Sequence, residues 1–146
     1  MESARPTSAD PVTLMSIAAL CAVLGLALFN SRLVIEMSRV DFLVVTCFLG
    51  GWAATMTGRA IAKTWRPYWH VVFYMALLAA VVRWVHWALF QGTLRSLQYY
   101  LVDFVVVLAC ASLGYRLVRA YQMSTQYRWL YRRSGPFGWA RATGNS

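Results

Sequence analysis

The sequence predicts an all-α fold, an integral membrane bundle of four transmembrane helices with a cytoplasmic amphipathic C-terminal helix, and three observations predict it. Hydrophobic residues fill 60% of the 146 positions and charged residues only 13%, where a typical soluble domain carries about 25% charged residues. Four stretches, about 12–29, 40–58, 67–90 and 97–115, are apolar over lengths that reach across a ~30 Å hydrocarbon core at ~1.5 Å per residue. The charges gather between these stretches. Residues 12–115 are therefore expected to form one transmembrane unit, flanked by a disordered N-terminal segment at 1–11 and a basic aromatic cytoplasmic tail at 116–146, with no length left for a separate soluble domain.

The first stretch, Val12 to Phe29, is uncharged. A cleaved signal peptide would need a basic start and a small-x-small cleavage site. Here Glu2 and Asp10 oppose Arg5, and Leu28-Phe29-Asn30 is a poor cleavage context, so an uncleaved helix is expected. The second stretch runs from Val40 to Gly58, the third from Pro67 to Phe90 with Pro67 opening the helix, and the fourth from Leu97 to Tyr115. The Gln91-Gly92-Thr93 turn is too short to cross a bundle, which makes the last two spans antiparallel neighbours.

Counting Lys and Arg on the two sides sets the orientation. One side holds Arg5, Arg59, Lys63, Arg66, Arg116, Arg119, Arg128, Arg132, Arg133 and Arg141; the other holds Arg32, Arg39 and Arg95. Both termini are thus expected in the cytoplasm. If 12–29 is not a span, three spans with an outside amino end is the alternative. The net charge of +9 is assigned to this asymmetry and to anionic headgroups rather than to nucleic acid, because no long Lys/Arg tract is present to grip phosphates.

Arg83 and Asp103 each interrupt a membrane-grade span, and a charge at bilayer depth costs at least ~2.5 kcal/mol. Arg83 lies roughly 24 Å along a helix entering at Pro67, and Asp103 roughly 9 Å along the returning helix from Leu97. The two reach similar depth and are expected to form a structural intramembrane pair, with His86 as a further member of a polar cluster on the Arg83 face. A proton or ion relay would need polar stepping stones through the whole thickness, and the runs Val71–Val82 and Val105–Ala111 offer almost none.

Gly50, Ala54 and Gly58 recur every fourth residue, a small-residue stripe on which another helix can come close. Cys110 and Gly114 make a shorter one. Cys21, Cys47 and Cys110 lack the spacing of a metal or redox site. His70 and His86 stand roughly 24 Å apart on one helix, so they cannot sandwich one haem iron. No cofactor, metal or catalytic set is therefore expected. In the tail, arginines alternate with aromatic and aliphatic residues and then break at Gly135-Pro136. Arg128, Trp129, Tyr131, Arg132 and Arg133, with Phe137 and Trp139, are candidates for lipid or partner docking through an amphipathic basic helix.

Several of these runs together, Gly50-Gly51-Trp52, Met56-Thr57-Gly58-Arg59-Ala60, Thr64-Trp65-Arg66-Pro67, Arg83 to Gly92, Tyr99-Tyr100-Leu101-Val102-Asp103 and Tyr127-Arg128-Trp129-Leu130-Tyr131 with Gly135-Pro136-Phe137, resemble a family of small uncharacterised bacterial integral membrane proteins. The likeness covers roughly Phe42 to Trp139 and leaves out everything before about Arg39. Members of that family are often encoded beside branched-chain amino acid ABC transporter components, which implies an accessory role at permease or ATPase subunits in the bacterial inner membrane and brings no activity with it. The expectation is a non-enzymatic accessory or scaffold subunit. A homo-oligomeric small transporter or channel using Arg83, His86 and Asp103 is the alternative.

Overall fold

The computed structural model describes residues 10–30, 38–91 and 95–142. Most of the 1–11 segment, Arg5, Arg32 and the Gly92-Thr93 turn lie outside the described residues. Helix α1 spans Pro11–Phe29. Helix α2 is composite, α-helical over Arg39–Phe42, π-helical over Leu43–Gly50 and α-helical again over Gly51–Lys63. Helix α3 spans Trp69–Phe90 and helix α4 spans Leu97–Gln126. All four are long and apolar enough to cross a membrane.

Local chemistry fixes the helix ends. Pro11 sits in the first turn of α1, where a missing N–H leaves nothing unsatisfied. Lys63 ends α2 because Trp65 turns into the left-handed region at φ 59°, and Gln91 ends α3 the same way at φ 56°. The chain between α2 and α3 holds Pro67 just ahead of the helix, its carbonyl accepting the His70 N–H at 3.1 Å. Pro67 thus precedes α3 by a turn instead of opening it.

The expected C-terminal amphipathic helix is replaced by two different structures. Residues beyond Tyr115 first continue α4 without a break to Gln126, because Val118, Ala120 and Gln122 keep facing the bundle. The chain then turns into an antiparallel hairpin of β1, Tyr131–Arg133, and β2, Trp139–Arg141, paired Tyr131 with Arg141 and Arg133 with Trp139. Gly135 at φ +80° and the Ser134 N–H to Gly138 carbonyl bond of 3.0 Å close the turn. Tyr and Trp favour such strands, and a positive φ beside Pro136 cannot be carried by a helix.

Helix α4 is the hub and packs against each of the other three helices. Its closest contact is with α2, where backbone meets backbone: a Cβ on Gly58 would overlap the Ala111 carbonyl, and one on Gly114 would fall 2.5 Å from the Thr55 carbonyl oxygen. Around this seam Ala54, Ala62, Val71, Met75, Ala79, Val107 and Ala111 are fully enclosed, each at 0% exposure. Tyr100 ties α4 to α3 by donating to the Ala76 carbonyl at 2.9 Å. Helix α1 is peripheral; its Ala27, Leu20 and Val23 meet Phe42, Val102 and Val106. The outer surface is the inverse of a soluble bundle, with Phe29, Phe48, Trp52, Leu77, Trp84 and Leu89 all exposed.

The helix ends also sort by charge. Asp10 forms an ion pair with Arg116, Tyr115 and Arg119 hold the Arg66 carbonyl, and Arg59 and Lys63 share a cavity with Arg133. These basic residues therefore gather at one end of the bundle, the end from which α1 and α3 depart and at which α2 and α4 arrive.

The seam predicts an asymmetry among glycines. Gly58→Ala and Gly114→Ala are each expected to cost about 1–3 kcal/mol through overpacking against backbone. Gly25→Ala in α1, where a Cβ would find no atom within 4 Å, is expected to be neutral or to gain up to ~1 kcal/mol in helix propensity. Denaturant midpoints of the purified variants in detergent give the comparison; equal effects at the three positions would reject the seam.

Candidate functional site

A buried polar cluster joins α2, α3 and α4 in the half of the bundle away from the basic end. Asp103 on α4 is 2% exposed, Arg83 and His86 on α3 are 5% and 6% exposed, and Thr46 on α2 is fully enclosed. The Thr46 hydroxyl donates to Asp103 Oδ1 at 2.9 Å. Arg83 is near enough for its charge to act on the Asp103 carboxylate, and its guanidinium lies over the Tyr99 ring at 5.3 Å. His86 Nδ1 stands 3.9 Å from Asp103 Oδ2, beyond hydrogen-bond length.

Helical geometry explains the convergence. Arg83 and His86 are three residues apart and Tyr99 and Asp103 four apart, so each pair shares one helix face. Thr46 lies within the π-helical stretch Leu43–Gly50, a wide-turn geometry that is rare over more than a single turn and concentrates at functional sites. Thr46 and Tyr99 have no counterpart in the sequence-level site. The only sequence signal for Thr46 is a hydroxyl within an otherwise apolar run, at a depth close to that of Asp103.

Between this cluster and the basic end the interior is mostly apolar: Val71, Met75 and Ala79 on α3 and Val107 and Ala111 on α4 are completely buried, and the polar groups there are tied up locally, Ser112 donating to the Leu108 carbonyl and Tyr100 to the Ala76 carbonyl. The cluster thus brings side chains of three helices to one buried point. Among the described residues no group of three His, Cys, Asp or Glu side chains could hold a metal ion. His70 is remote from the cluster, stacked on Trp69 with ring centroids 3.9 Å apart.

The small-residue stripe lies inside the protomer. Gly50 faces Val82 and Val107, Ala54 is fully buried, and Gly58 meets Ala111. The aromatic and basic tail residues separate into two groups. Trp139 is half-buried, with the Arg116 guanidinium 4.6 Å from its ring centroid, and Phe137 and Tyr131 are half-buried as well. Arg128, Trp129, Arg132 and Arg133 are exposed, Trp129 at 69%. Behind them Trp65 packs edge-on against Tyr127 at 6.1 Å and carries Arg119 over its face at 4.5 Å, contacts that hold Trp65 in its left-handed conformation.

Asp103→Leu or Arg83→Met alone should destabilise by about 3–5 kcal/mol, because each strands the other charge, while the double variant should regain most of the loss. Thr46→Val should remove about 1–3 kcal/mol by leaving one carboxylate oxygen without its donor. Denaturant titration in detergent reads all four, and additive single effects would refute a coupled pin.

No curated protein and no solved structure matches the chain. The family model described as a domain of unknown function (DUF6867) matches residues 37–142, which takes in α2, α3, α4 and the hairpin and leaves α1 outside. The chain belongs to the DUF6867 family.

Proposed function

We infer that this protein is a non-enzymatic accessory or scaffold subunit of a larger membrane complex. It sits in the inner membrane as a four-pass protein with its basic end in the cytoplasm, the side favoured by the Lys/Arg asymmetry. The observation that carries the reading is the turn formed by Arg128, Trp129 and Leu130, which stands exposed between the end of α4 and the hairpin and is held against the bundle by Tyr127 on one side and Trp139 on the other. An exposed Trp between arginines on a rigid base is the composition that dominates binding at protein interfaces, and the rigid base lowers the ordering cost of docking. The resemblance to proteins encoded beside amino acid ABC transporters makes a permease or ATPase subunit the candidate partner.

The rival reading is a transporter or channel assembled from several copies, with Arg83, His86 and Asp103 lining a shared vestibule. Their burial within one copy argues against it.

Purification of tagged protein in mild detergent from its native membrane, at native expression, tests the proposal. ABC permease or ATPase subunits are expected in stoichiometric amount, with recovery falling at least tenfold for Trp129→Ala, as expected on loss of a ~1.4 kcal/mol or larger contact. Recovery of the chain alone as a defined homo-oligomer would overturn the accessory role and favour the transporter.

A further inference from the structure

We propose that the cavity between the basic end of α2, the last turns of α4 and β1 is a binding site for the headgroup of an anionic glycerophospholipid. The proposal rests on the membrane placement inferred above but not on the docking partner. The cavity encloses about 490 Å³ and is lined by Arg59 and Lys63 from α2, Leu117, Val118, Tyr121 and Gln122 from α4, and Arg133 from β1. Three cations from two separate elements, α2 and β1, thus converge on one space.

No carboxylate among the described residues answers them. The chain has only five acidic residues; of the described ones, Asp103 lies in the polar cluster, Asp10 pairs with Arg116, and Asp41 sits at the opposite end of α2. The neighbouring cations of the same end are already engaged: Arg116 by Asp10 and Trp139, Arg119 by Tyr115, the Arg66 carbonyl and Trp65. Among the described residues Arg59 and Lys63 make no such contact, and Arg133 uses only its Nε, which donates to the Gly135 carbonyl at 3.2 Å. Like charges held together without an anion repel, so the arrangement is completed by a phosphate.

Gln122 supplies the independent observation. It lines this cavity and is 7% exposed, yet its Oε1 has no hydrogen-bond partner among the described residues. A buried acceptor left unmade is unfavourable, and this one calls for a donor from the occupant. A phosphate that carries a hydroxyl, as the glycerol headgroup of phosphatidylglycerol does, satisfies the cations and the amide together. Leu117 and Val118 form the apolar part of the wall, where the first methylenes of a lipid would lie. A lipid is therefore a better fit than a free phosphate.

The test uses the full-length protein in detergent and in nanodiscs, read by native mass spectrometry and by unfolding midpoint. Phosphatidylglycerol should be retained at a defined stoichiometry and phosphatidylcholine, which has no net charge and no headgroup hydroxyl, should not. The Lys63→Gln/Arg133→Gln double variant should lose affinity for phosphatidylglycerol at least roughly tenfold. Gln122→Leu should weaken discrimination between the two lipids without removing any charge. The Arg128→Gln/Arg132→Gln double variant, equal in charge but outside the cavity, should bind as the unaltered protein does. Equal retention of the two lipids, or equal loss from the two double variants, would overturn the proposal in favour of diffuse surface charge. Stabilisation by inorganic phosphate or glycerol phosphate as large as that by the lipid would overturn the lipid assignment. Partner recovery with Trp129 intact is a separate readout, so failure here leaves the accessory role standing and failure there leaves this site standing.

Discussion

The contact of α2 with α4 sets the spacing on which the other features depend. Gly58 admits the Ala111 backbone and Gly114 admits the Thr55 backbone, so the two helices meet without intervening side chains at two points one turn apart on each helix. Small residues at a helix crossing give up side-chain burial in exchange for dispersion contacts between backbones, which is the favourable trade where the surroundings are themselves apolar. Further along α2 the gap widens just enough for Gly50 to meet Val82 and Val107. Beyond it the π-helical turns bring Thr46 within 2.9 Å of Asp103. The close seam and the polar cluster are therefore two ends of one interface, and a change in helix separation at Gly58 would be felt at Thr46.

Burial of Arg83 and Asp103 is tolerable because each has more than one favourable neighbour. Asp103 has the Thr46 hydroxyl and the Arg83 charge, while Arg83 also lies over the Tyr99 ring, a cation–π contact worth more when desolvated. Replacing such a cluster with well-packed apolar side chains is often neutral or stabilising. Its value lies in specificity: three apolar helices can slide or rotate against one another at small energetic penalty, whereas only one register places Thr46, Arg83 and Asp103 together.

Much of this was legible in the sequence, and the reasons differ by element. Apolar length is a strong signal, so four helices long and apolar enough to cross a membrane overlap the four apolar stretches, although α2 runs on to Lys63 and α4 to Gln126; Arg83 and Asp103 both lie in the buried polar cluster. Thr46 was not legible because a π-helical stretch shifts the face that each residue presents, and nothing in Leu43–Gly50 distinguishes it from an ordinary helix. The hairpin is hidden for a different reason. Arginine and aromatic residues alternating through Arg128–Arg133 satisfy both a helical and a two-residue period, and only the Gly135-Pro136 break favours the strand. Trp65 in a left-handed conformation carries no local signature at all; tertiary contacts with Tyr127 and Arg119 override the preference for glycine there.

The net charge of +9 has a structure of its own. Where an arginine has an acid, a carbonyl or an aromatic face in reach, as Arg116 and Arg119 do, its charge helps fasten the helix ends together and is little available to anything outside. Where none is in reach among the described residues, as for Arg59, Lys63, Arg128 and Arg132, the charge is directed outward. Five acidic residues cannot neutralise fourteen basic ones, so the surplus must meet anions that the chain does not supply. The surplus is also localised. Part of it lines a cavity, where geometry can select an anion, and part flanks the exposed turn at Trp129, whose ring adds an apolar contact that an isolated ion would not use. On the readings proposed above, the first setting suits a headgroup and the second a protein surface, and they adjoin along the chain, since Arg133 of the cavity ends the strand that follows the Arg128–Leu130 turn.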